Sequence, residues 1–323
     1  VGAHDAPASP CTMTRYILGR LLQLVPVLWL ISTIIFVVMH MLPGDPAELM
    51  LAGAEGGAIT PARLAELKRE MGLDDPLVVQ YLRFLANAAI GDLGSSVRFR
   101  LPVAELIADR FGSTLALALC GLAVSVAVGV PLGMVAAMRQ NSAADAFTMA
   151  LSYVGASMPV YWLGLLLILF FSFDLGWFPP AGADDWRSLV LPSATIGLVA
   201  AGLIARLVRS SMIEVLREDY IRTGHAKGLS AAAVLWRHGL KNAMIPVVTM
   251  IGLQFGGMLA GAVVTETVFS RPGVGRLVVN AILAKDYPLV QGCVIFLAFV
   301  YLAVNLAVDI AYAWLDPRIR YGR

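Results

Sequence analysis

Apolar residues gather along this chain into six long runs, at roughly 17–41, 113–138, 146–173, 188–208, 244–268 and 289–315. Each approaches or exceeds the ~20 residues that a helix needs to cross a hydrocarbon core about 30 Å thick. The fourth run is the weakest, with Pro192 and Gly197 inside it and Arg206 and Arg209 near its close. Pro131 and Pro159 fall within runs and predict kinks there. In the first run an apolar stretch from Leu21 to Met41 follows Arg15 and Arg20. It is too long for the apolar core of a signal peptide, and no small-x-small site follows it, so it reads as an uncleaved span. Residues 1–12 read as a polar tail ahead of a natural start at Met13.

The pattern changes in 42–112, which reads as an external segment. Thr60-Pro61 has the form of an N-cap followed by a first-turn proline, Leu64, Leu67 and Met71 fall on one face, and Gly72 ends the helix. Asp75-Pro76 opens a second helix through "LVVQYLRFLANAA". Two amphipathic helices result, lying on the outer membrane face or capping the mouth of a pore; the pattern serves both.

Composition agrees with lipid as the solvent. The 323 residues are 59% hydrophobic and 14% charged, where soluble domains carry about 25% charge, and mean hydropathy is +0.77. A net charge of +2 gives no support to nucleic-acid binding. Cys11, Cys120 and Cys293 match neither a metal-ligand spacing nor a disulfide framework. Lysines and arginines fall unevenly: 13 flank the cytoplasmic side of the proposed topology and four (Arg187, Arg271, Arg276 and Lys285) lie in the short loops opposite. The bias places both termini in the cytoplasm. The chain then divides into a tail (1–12), a first span (13–41), the external segment (42–112), a five-helix core (113–315) and a cytoplasmic tail (316–323). The core carries a cytoplasmic loop at 209–243 and an external loop at 269–288.

Within the spans, "GLQFG" and "GMLAG" place Gly252, Gly256, Gly257 and Gly261 at small-xxx-small spacing, and "GVPLG" repeats it at 129–133. A pathway-lining helix and plain helix packing both use that spacing. Midspan positions are almost purely aliphatic; His40, Glu266 and Asp309 sit near span ends. That argues against a carrier driven by ions moving through this chain, where charges near the midplane are expected. None of Lys68, Lys227, Lys241 and Lys285 stands in a phosphate-binding Gly-Lys-Ser/Thr loop, and no nucleophile–base pair is evident. The chain is expected not to be an enzyme and to hold no cofactor or metal.

The most informative stretch is "YIRTGHAKGLSAAAVLWRHGLKNAMIP", from Tyr220 to Pro246. Between Arg206 and Lys241 seven basic residues stand against Glu214, Glu218 and Asp219. Attraction to anionic lipid headgroups explains the charge, but not the arrangement. "EDYIRTGHAK" and "SAAAVLWRHGLKNA" each predict a short helix, with Gly228 as the C′ residue of the first and Ser230 as the N-cap of the second. Two short helices meeting at a tight turn form a knob suited to a groove in another protein.

These residues resemble the coupling loop of permease subunits of binding-protein-dependent ABC importers, in the dipeptide/oligopeptide/nickel branch. "MLPGDPA", "GLDDPLVVQYLRFL", "GDLGSS", "ETVFSRPGVGRLVVNAILAKDYPLVQG" and "DPRIRYG" resemble that family in the same order, over nearly the whole chain. Gly224 departs from the alanine usual at its place in the loop. The resemblance implies an all-α, six-span, type I importer permease fold in the bacterial inner membrane, paired with a second homologous permease. It implies two ATPase subunits, holding ATP and Mg, of which one docks here at Gly224, His225, Ala226, Lys227, Gly228, Leu229 and Ser230. A periplasmic or lipid-anchored binding protein would meet the outer face. The segment Arg271, Pro272, Gly273, Gly275 and Arg276 resembles the loop that approaches it, although a glycine-rich packing turn accounts for the same residues. Dipeptides, oligopeptides, glutathione and nickel chelates remain open as substrates, with "LGWFPPAGADDWRSLVLPS" resembling the glutathione version. A membrane scaffold recruiting a soluble factor through the basic loop is the alternative.

Overall fold

The computed structural model describes residues 10–41, 61–70, 72–230 and 233–315. In order, its helices are α1 (Pro10–Met41), α2 (Pro61–Glu70), α3 (Leu77–Ala89), α4 (Val103–Met138), α5 (Ala143–Ser157), α6 (Val160–Leu167), α7 (Arg187–Leu216), α8 (Asp219–Ala226), α9 (Lys241–Val268), α10 (Val274–Leu283) and α11 (Tyr287–Leu315). Among the described residues the only β pairing is an isolated bridge between Ser95 and Pro102. Thr60 and Met71, expected to belong to the first external helix, and the 1–9 and 316–323 portions of the tails lie outside the described residues.

Five helices are long and apolar enough to cross a bilayer, and a sixth span results if α5 and the α6 arm are taken together. That pair is broken rather than kinked. α6 continues as a wide-wound turn over Ile168–Asp174, and the two arms meet at 105°. The break falls at Met158-Pro159, where Met158 is extended (ψ 132°), as a residue preceding proline prefers. The second span also begins earlier than apolarity alone indicated. α4 starts at Val103, because "VAELIADRFG" is amphipathic and buries Val103, Leu106 and Ile107 while Glu105 and Asp109 stay exposed.

α7 is the axis of the molecule. About 67% of its apolar window is buried, against 11% for α1. This explains its weak sequence signal: a helix enclosed by protein needs small residues more than lipid-soluble ones. A Cβ on Gly129 of α4 would stand 2.8 Å from the carbonyl of Ala201, and one on Gly133 would stand 2.5 Å from that of Ala205. Gly197 of α7 returns the contact at 2.6 Å from the carbonyl of Gly121. Small-xxx-small spacing here brings the two backbones together.

Outside the spans, Asp286 is the staple of the loop after α3. Its buried carboxylate accepts from the Ser96 hydroxyl, the Arg98 amide (3.1 Å) and the Leu289 amide (3.3 Å). It thereby joins "GDLGSS" to the start of α11.

Candidate functional site

The two ends of α9 carry both segments singled out from the sequence. At one end lies the basic knob. α8 closes through a turn in which Lys227 N–H donates to the Thr223 carbonyl (3.0 Å) and Leu229 N–H to the Gly224 carbonyl (3.3 Å), while Gly228 takes a left-handed φ of +77°. This is the glycine-terminated C-cap expected from "KGLS". Ser230 acts as the next N-cap, its hydroxyl accepting from Ala233 N–H at 3.2 Å.

Beyond Ser230 the chain departs from the expectation of a second short, separate helix. A wide turn over Val234–Leu240 runs into α9 with helical backbone at Leu240 (φ −62°, ψ −43°), so the knob is continuous with the fifth span. The reason is local: after Ser230 nothing in "AAAVLWRHGLKNAM" terminates a helix except Gly239, which is absorbed in the wide turn. The knob therefore hangs between two long rods, α7 and α9. Their facing residues Val208, Met212, Ala243 and Val247 share one buried cluster.

Inside the knob, Ile221 and Val234 are buried, and Gly224 lies between the two helical limbs. A Cβ at Gly224 would meet Val234 Cγ2 at 3.4 Å, so the alanine usual in the family would fit with little adjustment. Asn242 of α9 donates to the Tyr220 hydroxyl at 3.0 Å. Ala226, Lys227, Gly228, Leu229 and Ser230 are all exposed, and no atom lies within 4 Å of the Cβ position of Gly228. Gly224 is thus internal framing and 226–230 is presented surface. The side chain of His225 lies outside the described residues.

Sequence reasoning missed a brace beside the knob. Arg209 of α7 grips Asp145 of α5 with two parallel bonds, Nε–Oδ1 at 2.6 Å and Nη2–Oδ2 at 2.7 Å, and Asn141 N–H also donates to Asp145 at 3.0 Å. Ser142 caps the same helix by accepting from Asp145 N–H. The available signal was "SAAD", a capping-box pattern just ahead of an apolar run.

At the opposite end of α9, the glycine-rich segment folds around Glu266. The Glu266 carboxylate is fully buried; it accepts from the Thr114 hydroxyl at 2.6 Å and from Arg276 N–H at 3.0 Å. Thr114 in turn accepts from Val274 N–H at 2.9 Å. A Cβ on Gly273 would collide with that carboxylate, and one on Gly275 would lie 2.5 Å from Val263 Cα. Arg276 donates to the Ser270 carbonyl. Arg271 is only 7% exposed, and its Nε and Nη1 find no hydrogen-bond partner among the described residues. Burial pulls its guanidinium below the ordinary arginine range, and the charge of Glu266 opposes that pull. In this conformation the surface offered by the segment is Pro272 and part of Arg276.

The four glycines of α9 divide in two. Gly252 meets Val308, and Gly256 lies against Tyr301 and Asn305, all on α11. Gly257 and Gly261 have nothing within 4 Å and share an open face with Leu253 and Val264.

Known proteins share this chain's pattern. A family profile described as "Binding-protein-dependent transport system inner membrane component" matches residues 129–321, and one for the N-terminal part of such membrane components matches 13–118. The chain is similar to the glutathione transport system permease protein GsiC of Escherichia coli O6:H1, at 46% identity over 310 residues, covering 96% of this chain and all of that protein. GsiC of Salmonella paratyphi A is 45% identical over 309 residues, again covering 96% of this chain and 100% of its own length. Among solved structures, the inward-facing MetNI methionine ABC transporter matches with a TM-score of 0.54 at 18% identity, over 65% of this chain and 96% of that one.

Proposed function

The chain belongs to the family of binding-protein-dependent transport system inner membrane components, as a multi-pass permease subunit of an ABC importer, and from that premise we propose that it imports glutathione or a closely similar short peptide. The observation that carries the substrate class is similarity to glutathione permeases along their full length. Both termini lie in the cytoplasm, as the lysine and arginine bias supports. A second homologous permease completes the path, and the open α9 face bearing Gly257 and Gly261 is turned toward it. A periplasmic or lipid-anchored binding protein delivers the substrate to the outer face, meeting it near Pro272 and Arg276.

Energy enters from outside the chain. Two partner ATPases bind ATP and Mg, and one of them holds the exposed Ala226–Ser230 surface. When the ATPases close, the knob moves with both rods to which it is joined. α7 carries α5 with it through Arg209–Asp145, so displacement of the knob becomes a tilt of spans three to five and the path opens outward.

Two measurements test this reading. Pull-down of the detergent-extracted complex, wild type beside Gly228→Asp, is expected to recover ATPase subunits only with wild type while both retain the second permease. Wild type without any ATPase would sink the importer reading in favour of a scaffold. Uptake of labelled glutathione, competed with unlabelled dipeptide, oligopeptide or nickel chelate, then tests the cargo. No uptake of labelled glutathione, with uptake of one of the others when it carries the label, would replace the substrate and leave the permease assignment standing.

A further inference from the structure

α3 is amphipathic in the unexpected sense. Placed at 100° per residue, Val78, Val79, Leu82, Ala86, Ala89 and the closing Ile90 occupy one arc, and all are exposed. Leu82 is 59% exposed, Val78 67% and Ile90 80%. The opposite arc, which faces the protein, carries Gln80, Asn87, Tyr81 and Phe84. Arg83 lies at the rim of the apolar arc, and its guanidinium donates to Asp75 at 2.6 Å. Beside it, α2 ("PARLAELKRE") is polar on most of its surface. A helix whose exposed arc is wholly apolar, with its hydrogen-bonding side chains turned inward, is covered by something apolar.

The position of α3 along α1 says what covers it. Tyr81 OH pairs with Thr33 Oγ1 at 2.7 Å, the Tyr81 and Phe84 rings pack on Phe36 at 5.3 and 5.6 Å, and Gln80 meets His40 at 3.3 Å. These contacts run along the last turns of the apolar stretch Leu18–Met41. Thr33 lies eight residues before the end of that stretch, about 12 Å at the rise of an α-helix. At the same level along α1, Ile34, Val37 and Val38 are exposed, as apolar as the outer arc of α3. An aqueous partner has no access at that depth.

We propose that α3 lies within the bilayer leaflet reached by the end of α1, with Val78, Leu82 and Ile90 against phospholipid acyl chains. Its inner arc then walls a cavity of about 630 Å³ between the end of α1, α3, the turn before α3 and the start of α11, and in this proposal the cavity admits water. Gln80, Asn87, Asp74, Asp92 and Gln291 line that cavity along with Phe84. α3 separates lipid on one side from a chamber of mixed polar and apolar lining on the other. The leaflet is the external one if both termini are cytoplasmic, while the placement itself requires only that α1 spans the membrane.

The test uses the full chain in phosphatidylcholine/phosphatidylglycerol nanodiscs, with Cys11, Cys120 and Cys293 replaced by alanine. Nitroxide labels are placed singly by Val78→Cys, Leu82→Cys, Asn87→Cys and, as an aqueous reference, Arg69→Cys. Power saturation compares collision with oxygen, which concentrates in acyl chains, against a water-soluble nickel chelate. Labels at 78 and 82 are expected to favour oxygen several-fold over the label at 69, and the label at 87 to favour the nickel chelate. Nickel access at 82 places the arc in water and overturns the inference. Shielding of 82 from both reagents means that a protein surface covers it, which overturns the inference equally. Oxygen preference at 87 removes the aqueous chamber. The two outer positions are independent, so misfolding of one variant leaves the other to decide. Glutathione uptake depends on none of these outcomes, so failure here is distinguishable from failure of the transport reading.

Discussion

Two turns built on glycine stand beyond the two ends of α9, and they behave oppositely. At Gly228 the backbone turns through a left-handed residue into open space, with neighbouring positions 226–230 presented to solvent. At Gly273 and Gly275 the backbone is pressed against Glu266 and Val263, with both oxygens of that carboxylate engaged inside the protein. The residue type is the same and its use is different. The first glycine serves the bend of the chain and leaves a surface to be met by something else. The second pair removes side chains so that a loop can close over a buried carboxylate. A contact surface tolerates substitution in the isolated subunit; a sealed turn does not.

The contrast breaks first at the sealed end. Gly273→Val is expected to abolish folded, extractable protein, because its side chain overlaps a carboxylate that cannot leave without stranding the Thr114 hydroxyl and the Arg276 amide. Overpacking of this kind costs about 1–3 kcal/mol and more where the neighbour is held; size-exclusion profiles and thermal melts of the purified subunit report it. Gly228→Asp meets no steric obstacle and carries only the left-handed backbone cost of about 1 kcal/mol. Its melt should stay within a few degrees of wild type while ATPase recovery and ATP-dependent uptake fall to background. Equal loss of stability in the two variants would erase the distinction.

A third variant sharpens the role of the rods. Asp145→Asn leaves Arg209 without its bidentate partner. Because Arg209 retains about a quarter of its exposure, the cost is nearer 1–2 kcal/mol than that of a wholly buried pair. ATPase co-purification should persist while uptake per ATP hydrolysed declines, measured in proteoliposomes. Arg222→Ala is the smallest change: its pairing with Asp219 at 3.5 Å joins two almost fully exposed side chains. Stability is expected to move by less than about 0.5 kcal/mol in a chemical melt.

Much of this was legible in one dimension because it rests on local rules. Six apolar runs correspond to five spanning helices and one broken pair, and "KGLS" forms the cap that its residue types prescribe. Other features were not legible. Pro159 announced a kink, but a 105° break depends on what each arm packs against once it has turned. The continuity of the knob with α9 was hidden because Ser230 reads as a helix start and no residue marks where, or whether, the short helix ends. The 271–276 segment read equally well as contact loop and as packing turn, since composition does not say on which side of a glycine the neighbour stands.

The sequence by itself determined the solvent, the number of apolar runs, the sidedness bias and the turn at Gly228. Each of these follows from transfer free energy or backbone geometry summed over neighbouring residues. Only the tertiary structure decided that the run interrupted by Pro192 and Gly197 is the central helix, that Asp145 finds Arg209 64 positions away, and that Glu266 is enclosed by the loop that follows it. Those outcomes depend on which surfaces meet, and a charge or a small residue takes its meaning from the group that arrives opposite it.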